Sequence, residues 1–179
     1  AGRNSGFMID LPHELTSENY AGVGDDKTII ALNRMAQAFA AEAVKEYDIN
    51  ENFFDQSGKI NGAASVSAHT HNESYAQHLS SLGETSQMLD AKAMSDLTGS
   101  QHYLSGLYTP GTVMLQPAGF IRGMALGLQR RGVKLYEQSP VIALHSAWPG
   151  WVVETPTASI TTGKVIMTLN GHLESFGFE

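Results

Sequence analysis

Apolar side chains recur at three- and four-residue spacing in two long stretches of the chain, and this pattern predicts two helices. The first covers residues 27–47 behind an acidic cap at Asp25 or Asp26. The second begins at Pro117, which suits the first turn of a helix, and ends at Arg130-Arg131-Gly132. The predicted buried positions of the first helix are Ile29, Leu32, Met35, Ala36, Phe39, Ala40, Ala43 and Tyr47. Those of the second are Phe120, Ile121, Met124, Ala125 and Leu128.

Shorter helices and a hairpin are predicted between these two helices. Thr70 and Glu73 have the spacing of a capping box, which predicts a helix that starts there and runs through Leu82. Asp90 is the predicted cap of a short helix over residues 91–97, closed by Gly99. Residues 53–55 and 59–63 are predicted to pair as a hairpin across the intervening Gln-Ser-Gly.

The last quarter of the chain has the pattern of strands. Residues 133–136 predict a short strand, and residues 141–144, 151–155 and 159–162 predict a small antiparallel excursion. Residues 164–169 form an almost uninterrupted apolar run, which is typical of a strand buried on both faces. The predicted fold class is therefore α+β, with a mixed or antiparallel sheet packed by helices.

Composition narrows the class of protein. A chain of 179 residues with 42% hydrophobic and 16% charged residues has enough material for a sizeable globular core. The net charge of −7 argues against nucleic acid as a partner. No apolar run approaches the roughly 20 residues of a membrane-spanning helix. The absence of cysteine excludes disulfides and thiolate metal sites, and it fits a cytoplasmic localisation.

Four histidines lie close together in the sequence and raise the question of a metal site: His69, His71, His78 and His102. His71 and His78 are seven residues apart and could share one helix face. No carboxylate is evidently placed to complete a ligand set, and polar helix faces commonly carry histidine. We therefore expect no metal, and a metal-dependent hydrolase is the weakest functional hypothesis.

Several segments in the same order resemble one family. They are the start of the chain, Ala-Gly-Arg-Asn-Ser-Gly-Phe at residues 1–7, the helix end at Arg131-Gly132-Val133, Val141, the excursion, and the apolar run with Asn170-Gly171. Together they resemble FAD-dependent oxidoreductases of the D-amino-acid-oxidase and glycine-oxidase superfamily, and most of all its γ-glutamylputrescine-oxidoreductase-like branch.

The resemblance implies a set of cofactor and substrate contacts. The implied FAD-binding residues are Gly2, Arg3, Asn4, Ser5 and Gly6 near the flavin and its phosphates, Val141 at the adenine, and Asn170 and Gly171 beside the flavin. The implied substrate-cavity residues are Tyr103, Tyr108 and Met114, although these three could equally be sheet core. No catalytic residue is nominated, because the cofactor carries the difficult chemical step.

The same resemblance implies a division of the chain. Residues 1–24 would be a flavin-proximal loop segment, residues 25–116 part of the substrate domain, and residues 117–179 part of a Rossmann-like FAD-binding lobe with the antiparallel excursion. The glycine-rich G-x-G-x-x-G unit of that lobe is absent from the 179 residues. We therefore expect an internal fragment that is inactive by itself and binds FAD weakly or not at all.

The implied activity of the intact protein is oxidation of a small amine or amino acid, with hydride transfer from the α-carbon to FAD and an imine product. The alternative is a non-catalytic α+β module that binds a ligand or a partner. We also expect that exposed apolar surface leads to homo-oligomers.

Overall fold

A computed structural model describes residues 4–12, 26–170 and 172 of the chain. Contacts between residues divide it into unit 1, Ala1–Val133, and unit 2, Lys134–Glu179. The described helices are α1 (Asp26–Glu46), α2 (Val66–Leu82), α3 (Ala91–Thr98) and α4 (Pro117–Arg130). The described strands are β1 (Phe7–Met8), β2 (Phe54–Asp55), β3 (Lys59–Ala63), β4 (Gln87–Asp90), β5 (Ser105–Thr109), β6 (Val113–Leu115), β7 (Ala143–Ala147), β8 (Gly150–Glu154) and β9 (Ser159–Thr162). This arrangement confirms the predicted α+β class.

The described residues of unit 1 form two small antiparallel sheets, with strand orders β1-β6-β2 and β3-β5-β4. The predicted hairpin is wrong, because β2 pairs with β6 whereas β3 pairs with β5. The chain changes sheets at Gly58, which has φ of 78° and donates its N–H to the Thr112 carbonyl at 2.9 Å. A residue with a side chain is disfavoured at this backbone angle, so glycine permits the change of direction.

Helix α1 contributes to both hydrophobic cores of unit 1. Ile30, near its start, packs with Leu11, Tyr75, Leu79 and Leu107. Later positions of α1 belong to the second core, whose buried members are Ala40, Ala43, Val44, Ile49 and Phe120. The same helix therefore packs in both cores.

The predicted buried stripe of α1 is largely wrong. Ala40 and Ala43 are buried as predicted, but Ile29, Leu32, Met35 and Phe39 are exposed, the last two at 65% and 71%. The helix is apolar on both sides, so periodicity alone left the choice of face open. Polar contacts decide it: the buried amide of Gln37 donates to the carbonyls of Met8 and Gly111 at 2.7 and 2.9 Å.

The helix boundaries follow their capping residues. In α4 the Gln116 side chain accepts from the Gly119 N–H, and Gly132 follows the helix with φ of 90°, which confirms the predicted limits. Helix α3 is capped by Asp90 and closed by Gly99, as predicted. Helix α2 starts earlier than predicted, at Val66, because Ser65 is its N-cap and accepts from the Ala68 N–H.

Unit 2 is built on the antiparallel sheet β7-β8-β9, which confirms the predicted excursion. The turn between β7 and β8 carries Trp148, which is 98% exposed and precedes a cis-proline. The strands predicted at residues 133–136 and 164–169 are wrong, since both segments lie outside regular structure. A strand needs a hydrogen-bonded neighbour, and within the described residues neither segment has one.

Candidate functional site

Hydrogen bonds fix the described part of the loop before β1, residues 4–6. The Asn4 side chain accepts from the Gly6 N–H at 2.8 Å, and the Gly6 carbonyl accepts from the Leu115 N–H at 2.6 Å. Gly6 has φ of 81°, and a Cβ atom there would collide with the Leu115 carbonyl. Only glycine fits this approach without displacing backbone. Asn4 and Ser5 stay exposed, while Gly2 and Arg3 lie outside the described residues.

Strand pairing brings one predicted substrate residue next to this loop. Met114 is the register partner of Phe7, the residue that follows Gly6. Both side chains are exposed, whereas Val113, the neighbour of Met114 in the strand, is buried. The structure thus places Met114 on the strand that pairs with β1, directly after the predicted cofactor segment.

Tyr103 and Tyr108 lie at the other sheet of unit 1. Tyr108 pairs with Ile60, and its hydroxyl donates to the Ser57 carbonyl at 3.3 Å. The Tyr103 ring covers Gly62, where a Cβ atom would come within 2.7 Å of it. Residues two apart in a strand share a face, so both tyrosines lie on the Ile60 and Gly62 face. The structure therefore places the two tyrosines on one face of this sheet, and it places Met114 on a different sheet.

A polar network joins α1 to the segment that follows β1, and it was not predicted from the sequence. Arg34 donates to the buried Asp10 carboxylate at 3.0 Å and to Glu84 at 2.5 Å. Asn33 donates to the Asp10 carbonyl at 3.2 Å. The bond to Glu84, with a smaller effect of Asp10, raises the pKa of Arg34. An aspartate directly after the apolar Phe7-Met8-Ile9 run was the available sequence signal, because a carboxylate buried there needs a cation.

Lys59 is a further polar residue of this region. Burial lowers the pKa of Lys59, and the charge of Asp10 partly opposes that shift. Its ammonium group donates to Asn61 at 3.1 Å and lies 5.8 Å from the centre of the Tyr75 ring. Desolvation thus disfavours the charge of Lys59, and the charge of Asp10 favours it.

Unit 2 has an apolar hollow at the predicted adenine residue. Val141, Leu144, Val153 and residues 165–169 line a cavity of about 130 Å³. The segment ends at Asn170, which has φ of 54°, and Gly171 lies outside the described residues. The structure therefore brings Val141 together with the segment that leads to Asn170.

The described residues contain no group of three or more histidine, aspartate or glutamate side chains that could hold a metal ion. His78 instead contacts Asp26 at 2.7 Å and joins α2 to the start of α1. Among the helices of the described ranges, none has the length and apolar character needed to cross a membrane.

Comparison with known proteins gives the family. The model of the family DAO, described as FAD dependent oxidoreductase, matches residues 1–177. The chain belongs to this family, and the resemblance found in the sequence is confirmed. FAD is the cofactor of that family.

Individual relatives are more distant. A probable oxidoreductase OrdL of Rhizobium meliloti is 26% identical over 85 residues, which are 48% of this chain and 20% of the relative. Glycine oxidase from Geobacillus kaustophilus has a TM-score of 0.70 at 16% identity and covers 90% of this chain. L-Amino acid deaminase from Proteus myxofaciens, in complex with anthranilate, has a TM-score of 0.71 at 14% identity and covers 98%. The chain spans 43% and 38% of the lengths of these two proteins. At 16% and 14% identity, the likeness establishes the fold alone.

The residues of the site are compatible with the family's cofactor. Asn4 and Ser5 expose polar side chains beside a backbone that glycine keeps close to β6. The hollow at Val141 is lined by apolar side chains, which suits a flat ring held mainly by packing and backbone groups. The polar segment of unit 1 and the apolar hollow of unit 2 are therefore each compatible with one part of that cofactor.

Proposed function

We propose that the protein containing these residues is an FAD-dependent oxidoreductase that oxidises a small amine or amino acid. The observation that carries this proposal is the family match over residues 1–177. The substrate class is supported by the names of structurally similar proteins, a glycine oxidase and an L-amino acid deaminase. The net charge of −7 supports the expectation that nucleic acid is not a partner.

The proposed cofactor residues form two groups. In unit 1, Asn4, Ser5 and Gly6 would lie against the flavin and its phosphates, together with Gly2 and Arg3. In unit 2, the backbone of Val141 would contact the adenine, with Asn170 and Gly171 beside the flavin. Held by strand pairing and by the Asn4–Gly6 hydrogen bond, the loop keeps its shape before a ligand arrives, which lowers the entropy cost of binding.

The proposed substrate residues act by position and by excluding water. Bound FAD supplies the two-electron acceptor for oxidation of the carbon that carries the amine. Met114 would cover the substrate beside the loop, and Tyr103 and Tyr108 would add aromatic surface with hydroxyl groups for orientation. None of the three needs to transfer a proton in this proposal.

The finer proposals concern the chain by itself. We propose that the 179 residues alone do not turn over substrate and bind FAD weakly, because they lack the G-x-G-x-x-G unit that binds the pyrophosphate. The division into residues 1–24, 25–116 and 117–179 by functional role belongs to the same proposal. We also propose a cytoplasmic localisation, because a chain without cysteine does not require an oxidising compartment. Self-association through exposed apolar surface is proposed as well.

A flavin titration tests the cofactor site. FAD is added to the purified chain, binding is followed by quenching of flavin fluorescence, and ADP and FMN are used as competitors. We expect weak binding that ADP displaces and FMN does not, since the adenine hollow at Val141 is preformed. Val141→Asp should weaken binding at least tenfold, because the side chain of Val141 lines the apolar hollow and the new charge would lose solvation when the adenine binds beside it.

Leu97→Asp is the matched control, as it adds the same charge at an exposed position of α3. Equal affinities of the two variants would show that Val141 is not at the adenine site. If neither FAD nor ADP binds to the folded chain, the cofactor proposal fails for these residues and the non-catalytic module becomes the better reading. Bleaching of bound flavin by any amine or amino acid of a test panel would overturn the proposed inactivity.

A further inference from the structure

Three polar atoms are fully buried without a hydrogen-bond partner in the part of the chain that the structure describes. They are Asp10 Oδ1, Thr109 Oγ1 and Thr112 Oγ1. All three residues are at most 1% exposed. Buried polar groups are nearly always paired with protein or with ordered water, so each of these atoms requires a partner.

The three atoms belong to residues that meet at one turn. Gly111 lies between the two threonines, and a Cβ atom on it would come within 2.8 Å of Asp10 Oδ1. The turn formed by residues 109–112 therefore closes directly on the carboxylate of Asp10. Gln37 holds the same turn from the other side through the Gly111 carbonyl.

The charges around the carboxylate restrict what could bind there. Asp10 Oδ2 already accepts from Arg34 Nε and Nη2 at 3.2 and 3.0 Å, so the negative charge has its counterion. Lys59, which is attracted by Asp10, adds further positive charge and disfavours a metal cation. An anion is repelled by the carboxylate itself, and an apolar ligand would satisfy none of the three atoms.

We propose that Asp10 Oδ1, Thr109 Oγ1 and Thr112 Oγ1 form a buried site for ordered water. Water can donate to the carboxylate oxygen, which only accepts, and can either donate to or accept from each threonine hydroxyl. Internal waters typically make about three hydrogen bonds of this kind. The site joins the segment after β1 to the turn before β6, and so it supports the pairing of Met8 with Val113 at the base of the loop.

Magnetic relaxation dispersion of ¹⁷O in water tests the proposal, since it counts water molecules that stay inside a protein far longer than surface water. We expect a long-lived water in the unsubstituted chain and its loss in Thr112→Val, which removes one hydroxyl at nearly constant shape. Thr112→Ser should retain it. Hydrogen exchange of the Met8 and Val113 amides should be roughly two- to tenfold faster in Thr112→Val than in Thr112→Ser, the equivalent of one lost hydrogen bond.

Thr161→Val is the matched control, because Thr161 is an exposed threonine of β9 in unit 2 and its change should leave the dispersion unaltered. Near-ultraviolet circular dichroism establishes that each variant is folded. The proposal is overturned if the folded, unsubstituted chain has no long-lived water, or if Thr112→Val keeps the same number as Thr112→Ser. This test is independent of flavin binding, so its failure would leave the proposed function untouched.

Discussion

Gly6→Ala is the substitution with the clearest expected effect on the candidate site. Gly6 combines φ of 81° with a position where a Cβ atom would collide with the Leu115 carbonyl. The new methyl group cannot avoid that oxygen by rotating, because both atoms are fixed by backbone. The chain must therefore move away from β6 and lose the hydrogen bond from the Leu115 N–H to the Gly6 carbonyl.

Two contributions give the magnitude. The left-handed backbone conformation costs an alanine about 1–2 kcal/mol relative to glycine. The lost hydrogen bond adds about 0.5–1.5 kcal/mol, and less flexibility in the unfolded chain returns about 0.4–1 kcal/mol. We expect the free energy of unfolding to fall by about 2 kcal/mol or more, with the excess set by how far β1 is displaced from β6.

Gly83→Ala separates the collision from the backbone strain. Gly83 ends α2 with φ of 83°, and a Cβ atom there would meet nothing within 4 Å. Its expected loss is only about 1 kcal/mol. Urea denaturation of both variants gives the two free energies, and flavin titration should show weaker binding for Gly6→Ala alone. Equal losses of stability in the two variants would refute the reasoning that the Leu115 carbonyl makes glycine necessary at position 6.

Two further predictions concern unit 1 away from the loop. Because burial lowers the pKa of Lys59, the unfolded chain binds more protons than the folded chain between that pKa and the ordinary value near 10.5, so stability rises with pH in this window. Lys59→Met should therefore be more stable than the unsubstituted chain at pH 7, and this advantage should shrink as the pH rises toward 10.5. Urea denaturation across this range measures the difference in stability, and a constant difference would contradict the prediction. Met35→Glu should weaken self-association at least tenfold, since transferring the exposed part of one methionine into an interface contributes about 1–2 kcal/mol per protomer. Sedimentation equilibrium measures this change, and Thr161→Glu, which adds the same charge at an exposed polar position of β9 without removing apolar surface, is the control that should associate normally.

Local signals in the sequence predicted the helices of unit 1 well. Pro117 and Gly132 fix the limits of α4, and Asp90 and Gly99 fix those of α3, because capping depends on residues next to the helix end. The start of α2 was misplaced for a related reason. Ser65 and Thr70 are both acceptable caps, and the sequence does not show which of them the preceding strand β3 leaves available.

Long-range choices were harder to predict. The face of α1 depends on Gln37 reaching Met8 and Gly111, and Gly111 is 74 residues away in the sequence. The partners of β2 and β3 likewise lie about forty to sixty residues further on, so the short Gln-Ser-Gly link wrongly indicated a hairpin. Of the candidate site, Gly6 was named through the family resemblance alone. The approach of the Leu115 carbonyl that makes glycine necessary there, and the support from Asp10 and Arg34, depend on tertiary contacts.

The position of α1 has a consequence for how unit 1 comes apart. Its first half completes the core of Tyr75 and Leu79, and its second half completes the core of Ile49 and Phe120. Neither sheet can lose its cover from α1 without the other, because one continuous helix serves both. Unit 1 should therefore open as a single cooperative foldon, with slowly exchanging amides in β5 and β6 released together in one event.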